Sequence, residues 1–167
     1  AASAAEVSST APTSSSSSSA TTAAVVAPPA LGEAARRVSA TLRSSLAELF
    51  AELRQWLARG AQPAHLPDPR NYPWLLRCFL CDAEGTQISP NFEWRGDAWH
   101  TDPRYLDHNW SWRPYFYQIL AEAGEDSRVI LSNRYRDATT NQYCMTSGLF
   151  IDDSRHLLLV DIDASAL

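Results

Sequence analysis

The sequence contains no lysine, because all 14 of its basic residues are arginine. Chemistry that depends on a lysine, such as a Schiff base or a phosphate-loop lysine, is therefore excluded within these residues. The formal net charge of −5 argues against a nucleic-acid surface, which is normally basic. No apolar run approaches the roughly 20 residues of a membrane-spanning helix. A secretion signal is also missing, so the sequence predicts a cytoplasmic protein without a membrane span.

Signatures of catalysis are absent as well. The chain has no Gly-x-Ser-x-Gly elbow, no phosphate loop and no His-Glu-x-x-His motif. Its four histidines have no recognised metal-ligand spacing and read as solvated loop residues. We therefore expect no catalytic activity, no metal and no cofactor in these residues. The first residue is Ala1, which predicts a fragment of a longer protein.

Cysteine is scarce, and its count is odd. Three cysteines favour a reducing compartment over a disulfide framework. Cys78 and Cys81 form a Cys-x-x-Cys motif within an apolar run that predicts a strand. Residues three apart on a strand point to opposite faces, so we expect core cysteines and not a redox or zinc site.

Composition divides the chain into three parts. Residues 1–30 consist almost entirely of Ala, Ser, Thr, Val and Pro, which predicts a disordered linker with a further domain before it. Residues 31–60 predict a long helix that ends at Gly60. Residues 61–167 predict the folded domain.

An apolar stripe runs along the predicted helix. Its members recur at alternating spacings of four and three: Leu42, Leu46, Leu49, Leu53 and Trp56. This pattern favours packing on the domain's own sheet. A dimer-forming signalling helix is the alternative, since the stripe continues weakly upstream.

The remaining patterns predict strands and one short helix. The expected strands are Trp74–Cys81, Thr86–Ser89, Val129–Tyr135, Gln142–Ile151 and His156–Asp163, and residues 90–109 read as a long irregular stretch. A helix is expected from Pro114 to about Ala123. The sequence therefore predicts an α+β domain of the PAS or Cache type, an antiparallel sheet of about five strands with helices on one side.

Residues 109–117, Asn-Trp-Ser-Trp-Arg-Pro-Tyr-Phe-Tyr, place five aromatic side chains around Arg113. A guanidinium binds a carboxylate through two parallel hydrogen bonds, and Trp and Tyr add apolar walls with polar tips. Pro114 suits a first helical turn, so Arg113 is expected at a helix N-terminus, where anions are favoured. In the alternative interpretation the aromatics are core residues and Arg113 lies at the rim.

Four segments together resemble a known family. They are Cys-Asp-Ala-Glu-Gly-Thr-Gln-Ile-Ser-Pro-Asn at 81–91, the aromatic motif, Leu-Ser-Asn-Arg-Tyr-Arg-Asp-Ala-Thr-Thr at 131–140, and Leu-Val-Asp-Ile-Asp at 159–163. The chain from about residue 31 to 167 is similar to the PAS-like (Cache-like) signalling domain found C-terminal to EAL domains in cyclic di-GMP signalling proteins.

The resemblance implies a cytoplasmic sensory module that modulates a neighbouring EAL domain. In the wider Cache group an Arg-x-[Tyr/Trp]-[Tyr/Phe] motif binds a ligand carboxylate, and a later Asp often takes an amine. Arg113, Tyr115 and Phe116 match that motif, whereas the choice among Asp137, Asp161 and Asp163 stays open. The predicted ligand-binding set is Trp110, Trp112, Arg113, Tyr115, Phe116, Tyr135, Asp137 and Asp161.

Two functions follow from these observations. One is a non-catalytic sensor that binds a small carboxylate ligand and regulates an EAL-type cyclic di-GMP phosphodiesterase domain in the same chain. The other is a ligand-free structural dimerisation module. The pairing of Arg113 distinguishes the two functions, because a buried arginine needs either an anion or an internal acidic partner. An internal partner would favour the structural module.

Overall fold

The computed structural model describes residues 29–122, 129–151 and 155–167, with side chains from residue 39 and excluding that of residue 122. The predicted linker therefore lies almost wholly outside the described residues. Of the predicted turn Asp152–Arg155, the first three residues also lie outside the described residues, as do residues 123–128 after the short helix. No helix within the described residues has the length and apolar character needed to cross a membrane.

Helix α1 spans Pro29–Ala58, as the sequence predicts. Its stripe packs on the sheet: Leu46, Leu49 and Leu53 are completely buried in one core cluster. Gly60 ends the helix with φ +88°, and the amide of Ala61 donates to the carbonyl of Trp56 at 3.1 Å. This left-handed glycine closes the last turn, which a residue with a Cβ atom adopts only at a cost.

Seven strands form one antiparallel sheet in the described residues. They are β1 Leu75–Cys81, β2 Asn91–Arg95, β3 Ala98–Asp102, β4 Ile130–Leu131, β5 Tyr135–Arg136, β6 Tyr143–Ile151 and β7 His156–Asp163. The order is β3-β2-β1-β7-β6-β4, and β5 also pairs with β6. The α+β class is therefore confirmed, with more strands than the expected five.

The two helices cover opposite faces of the sheet, whereas the sequence pattern predicted helices on one side. Leu158, Val160 and Ile162 of β7 belong to the core beneath α1, and the alternate Leu157 and Leu159 belong to the core beneath α2. Helix α2 spans Pro114–Glu122. The period of two along a strand gives each face its own apolar set, so each face takes a helix.

Helix α2 approaches β6 closely at Gly148. A Cβ atom at this position would lie 2.7 Å from Cγ2 of Ile119, so only glycine allows the approach. Ile119 is completely buried there. The contact fixes the distance between α2 and the sheet, and with it the position of the residues that precede α2.

The predicted hairpin after β1 forms only in part. Gln87 bridges Cys81 and the amide of Ile88 donates to the carbonyl of Leu80 at 2.8 Å, but these residues form no continuous strand, and the strand that pairs with β1 on this side is β2. Residues expected to be irregular instead form the β2–β3 hairpin. The predicted Val129–Tyr135 strand is divided into β4 and β5, which both pair with β6. The meander through β6 and β7 is as predicted.

The three cysteines are free and buried, as expected for core residues. Burial raises the pKa of Cys78 to about 12, and that of Cys144 to about 12. Their thiols therefore stay protonated at neutral pH, which argues against a redox or metal-binding role.

Candidate functional site

A row of polar side chains crosses the α2 face of the sheet. The register places Glu93 of β2 opposite Arg77 of β1, Arg77 opposite Asp161 of β7, and Asp161 opposite Thr146 of β6. Arg77 interrupts an otherwise apolar strand and is only 6% exposed. A buried guanidinium is costly unless it is paired, so its partners determine whether the row is stable.

Arg77 is paired with carboxylates. Its Nη2 donates to Asp137 Oδ2 at 2.7 Å, its Nε lies 2.9 Å from Asp161 Oδ2, and its Nη1 lies 3.8 Å from Glu93 Oε1. Burial lowers the pKa of Arg77, but the charges of Asp161 and Asp137 outweigh this effect and raise it. Arg77 therefore remains charged and is held by internal ion pairs.

The two aspartates respond differently to this environment. Burial raises the pKa of Asp137, yet Arg77 and Thr140 stabilise its charged form, and the net effect is a pKa below the usual value. Asp161 is more deeply enclosed, and there burial outweighs Arg77 and Thr146 and raises the pKa. Both oxygens of Asp161 are occupied, since Thr146 Oγ1 donates to Oδ1 at 2.7 Å while Arg77 holds Oδ2.

The segment before α2 is held against the turn that follows β1. Gly85 has φ +90°, and a Cβ atom there would lie 2.9 Å from the backbone nitrogen of Ser111. The amide of Trp110 donates to the carbonyl of Gly85 at 2.8 Å, and Thr86 bridges to Asn109. Close backbone contact without a side chain on Gly85 thus positions the aromatic motif over the sheet.

Side-chain amides connect this motif to β2. The indole nitrogen of Trp110 donates to Gln87 Oε1 at 2.8 Å, and Gln87 Nε2 donates to Asn91 Oδ1 at 2.9 Å. Gln87 is completely buried and Asn91 is 3% exposed. The chain of bonds fixes Trp110 as one wall of the pocket described below.

Arg113 immediately precedes α2, as predicted, and its carbonyl accepts a hydrogen bond from the amide of Phe116 at 3.0 Å. Its guanidinium lies 4.7 Å from the ring of Trp112 and 5.7 Å from the ring of Tyr135. Its Nε is the only fully enclosed side-chain nitrogen or oxygen in the described residues without a hydrogen-bond partner. Within the described part of the chain, no carboxylate forms an ion pair with Arg113, in contrast to Arg77.

Tyr115 and Tyr135 form a stacked pair next to Arg113. Their ring centroids are 4.9 Å apart with 25° between the planes. Burial is the main cause that raises the pKa of both hydroxyls. Tyr135 is hydrogen-bonded to Thr146 at 2.6 Å, whereas the Tyr115 hydroxyl has no partner among the described residues although Tyr115 is only 6% exposed.

These side chains enclose a pocket on the α2 face of the sheet. Its free volume is about 310 Å³, which includes solvent at its mouth. The interior is narrow, with a cavity volume of about 20 Å³ for a water-sized sphere. The lining residues are Arg77, Phe79, Gln87, Asn91, Tyr105, Trp110, Arg113, Tyr115, Tyr135, Asp137, Thr139 and Asp161.

The structure brings most of the predicted ligand-binding residues together. The six that line the pocket are Trp110, Arg113, Tyr115, Tyr135, Asp137 and Asp161. Trp112 is 60% exposed and stacks on Arg113 from outside. Phe116 is completely buried in the core beneath α2, so its contribution is structural. Binding of a ligand by this set stays a prediction.

Several lining residues were not identified from the sequence. Arg77 offered a signal, because a charged side chain within an apolar strand needs a partner. The sequence offered no such signal for four other lining residues, Gln87, Asn91, Tyr105 and Thr139. Their part in the pocket depends on the β2–β3 hairpin and on a turn, whose positions only the fold reveals.

Comparison with known proteins identifies a family. Residues 71–167 match the family described as EAL-domain associated signalling protein domain. The EAL-domain containing protein YkuI of Bacillus subtilis is 31% identical over 84 residues, which is 50% of this chain and 21% of that protein. The matched residues therefore span about a fifth of the length of this relative.

Solved structures share the fold. The crystal structure of Bacillus subtilis YkuI, with an EAL domain and in complex with c-di-GMP and calcium, aligns with a TM-score of 0.60 at 21% identity over 81% of this chain and 36% of that one. The ligand-binding domain of the Campylobacter jejuni chemoreceptor Tlp3, in complex with 4-methylisoleucine, aligns with a TM-score of 0.53 at 15% identity over 80% of this chain and 54% of that one. The predicted Cache-like fold is thereby confirmed. Since the family match covers more than half of the chain, this protein belongs to the family of EAL-domain associated signalling protein domains.

Proposed function

We propose that this domain is a non-catalytic sensor, which binds a small carboxylate ligand at Arg113 and modulates an adjacent EAL domain of the same protein. The observation that carries the proposal is the enclosed Arg113 Nε–H, a charged donor without a partner among the described residues. Leaving such a donor unsatisfied costs about 1–3 kcal/mol, and more for charged groups. A ligand carboxylate would satisfy it and bind the guanidinium through two hydrogen bonds.

The position of Arg113 beside α2 adds to the attraction for an anion. Pro114 begins the helix directly after Arg113, so the positive end of the helix dipole lies at this residue. The aromatic rings of Trp112 and Tyr135 both lie within cation–π distance of the guanidinium. Together these features favour a carboxylate over a neutral ligand.

If the ligand also carries an amine, we propose Asp137 as its partner. Both oxygens of Asp161 accept from internal donors, and Asp163 bonds Ser165 away from the pocket. Asp137 Oδ2 accepts from Arg77 and Thr140, while its Oδ1 accepts from no described residue. The amino-acid ligand of the Campylobacter jejuni domain supports a ligand of this kind.

Entry of such a ligand requires movement, because the interior has room for little more than a water molecule. Tyr105 and Thr139 line the pocket, and their hydroxyls are joined by one exposed hydrogen bond of 3.1 Å. We propose that this bond breaks when the ligand enters. The Tyr105 and Thr139 segments are the elements expected to move.

The arrangement of the sheet offers a route from ligand to output. Asp161 of β7 lines the pocket, while its neighbours Val160 and Ile162 pack in the core beneath α1. A shift of β7 on ligand binding would therefore act on α1, which leads toward the N-terminal side, where we expect the EAL domain. The Bacillus subtilis relative, with its EAL domain and c-di-GMP, supports a cyclic di-GMP phosphodiesterase as the output.

We propose a cytoplasmic location for the domain, supported by its free, buried cysteines, which suit a reducing compartment. A ligand-free dimerisation module is the second candidate, and the narrow pocket interior favours it. Its predicted dimer stripe, however, is used within the chain, since Leu46, Leu49 and Leu53 are completely buried against the sheet. A homodimer would have to use another surface.

A thermal-shift screen of small carboxylates tests the sensor. A ligand at 100 times its dissociation constant stabilises a protein by about 2.7 kcal/mol, which corresponds to several degrees here. Arg113→Lys and Arg113→Gln should lose most of this shift. Arg43→Gln, which removes an exposed arginine of α1, should retain it. If no carboxylate stabilises the protein and Arg113→Gln unfolds it, the structural module is the better account.

A further inference from the structure

We infer that Asn91 is a specificity-determining residue, which donates a hydrogen bond to a second, uncharged oxygen of the carboxylate ligand. The inference rests on the proposed function, because it concerns the pocket that Arg113 lines. Asn91 stands at the start of β2, where its backbone pairs with Asp102, and its side chain lines the pocket. Asn91 is not among the ligand-binding residues predicted from the sequence.

The orientation of the Asn91 amide is fixed by the chain of bonds behind it. An indole nitrogen can only donate, so the Gln87 oxygen must face Trp110 and the Gln87 nitrogen must face Asn91. Gln87 Nε2 also donates to the carbonyl of Ser89 at 2.8 Å. Asn91 is therefore obliged to turn Oδ1 toward Gln87, which leaves Nδ2 as its outward group.

The Asn91 Nδ2 donates to no described residue. Asn91 is 97% buried, yet Nδ2 is not among the fully enclosed unpartnered atoms, of which Arg113 Nε is the only one in the described residues. The Nδ2 atom therefore keeps some exposed area, and Asn91 lines the pocket. An amide NH₂ that is oriented but unpaired is a ready recognition group for an acceptor.

The rest of the pocket limits which acceptor fits. Asp137 and Asp161 line the same space, so a second ligand carboxylate would be repelled. An ammonium group cannot accept a bond from the Asn91 donor, and its partner in this pocket would be Asp137. A ketone or hydroxyl oxygen accepts the bond without charge, so we assign the ligand class as small oxo- or hydroxycarboxylates.

Matched ligands test the inference by calorimetric titration of the purified chain. The 2-, 3- and 4-oxopentanoates are compared with pentanoate, which lacks the second oxygen. At least one oxo acid should bind the wild-type protein about tenfold or more tightly than pentanoate. In Asn91→Asp, which keeps the acceptor for Gln87 but loses the donor, that preference should disappear.

A second measurement needs no variant. In ¹⁵N-labelled wild-type protein, the side-chain NH₂ signals of Asn91 should shift with the preferred oxo acid and stay in place with pentanoate. If pentanoate and the oxo acids bind equally, or if the preference survives in Asn91→Asp, the inference is overturned while the Arg113 site stands. If no carboxylate binds at all, the proposed function fails and takes this inference with it.

Discussion

Asp161 lies 2.9 Å from the Nε of Arg77, which it neutralises together with Asp137, and no described carboxylate pairs with Arg113. The two arginines of the pocket thus differ in their pairing with carboxylates. Arg77 is a buried cation with internal partners, and Arg113 is a cation with an enclosed donor to spare. The first serves the stability of the sheet, and the second is the basis of the proposed ligand site.

Removing Arg77 should destabilise the protein strongly. Arg77→Met leaves two buried carboxylates uncompensated, for which a loss of about 3–5 kcal/mol in the free energy of unfolding is expected. Urea denaturation measures the loss. The double variant Arg77→Met with Asp161→Asn should recover part of it. A loss below about 1 kcal/mol in the single variant would contradict the account.

The same pairing predicts the sign of the pH dependence in acid. The pKa of Asp137 is depressed by Arg77, so its stabilisation is present above its unfolded-state pKa and is lost as pH falls through the folded-state value. Asp161 has a raised pKa and acts in the opposite sense, favouring the folded state at low pH. Asp137→Asn should therefore flatten the loss of stability below about pH 4, measured by urea denaturation across pH.

Two glycines with positive φ provide a matched test of the turn that positions the aromatic motif. Gly85 and Gly96 have φ of +90° and +75°, but only Gly85 would bring a Cβ atom against its surroundings, at 2.9 Å from Ser111 N. Gly96→Ala reports the backbone strain alone. Gly85→Ala should cost about 1–3 kcal/mol more and weaken carboxylate binding. Equal losses of stability would show that the turn does not support the site.

Tyr105→Phe tests the opening of the pocket. The variant removes the hydrogen bond to Thr139 but keeps the ring, so the association rate of the ligand should rise in stopped-flow measurements. Thr139→Val removes the same bond from the other side and should act likewise. Stability should change by no more than about 1 kcal/mol, because the bond is exposed. Unchanged association rates in both variants would mean that the pocket opens at other residues than Tyr105 and Thr139.

The sequence predicted the elements that are specified by residues close together in the chain. The leucine stripe specified α1, Gly60 its end, and Pro114 the start of α2. The β2–β3 hairpin was not predicted from the sequence, because two successive segments after the turn lie next to β1. Residues 86–89 read as the return strand, whereas the ladder with β1 forms only from Asn91 onward. Pro90, which cannot donate to a ladder, stands between the two.

The candidate site was predictable in part for the same reason. The motif around Arg113 is contiguous, so its residues were recognised together. Arg77 lies 60 residues from Asp137 and 84 from Asp161 along the sequence (137 − 77 and 161 − 77), and only the sheet register makes them neighbours. The sequence alone therefore did not show that Asp137 and Asp161 pair with Arg77 and not with Arg113.

The most direct measurement is the Nε–H resonance of Arg113 in ¹⁵N-labelled protein, assigned by its absence from Arg113→Lys. On addition of the carboxylate that gives the largest thermal shift, this proton should move downfield and exchange more slowly with water, as an enclosed donor gains an anionic acceptor. The other arginine Nε–H signals, including that of Arg77, should change little. Stabilisation of the protein without any change at Arg113 would contradict the account.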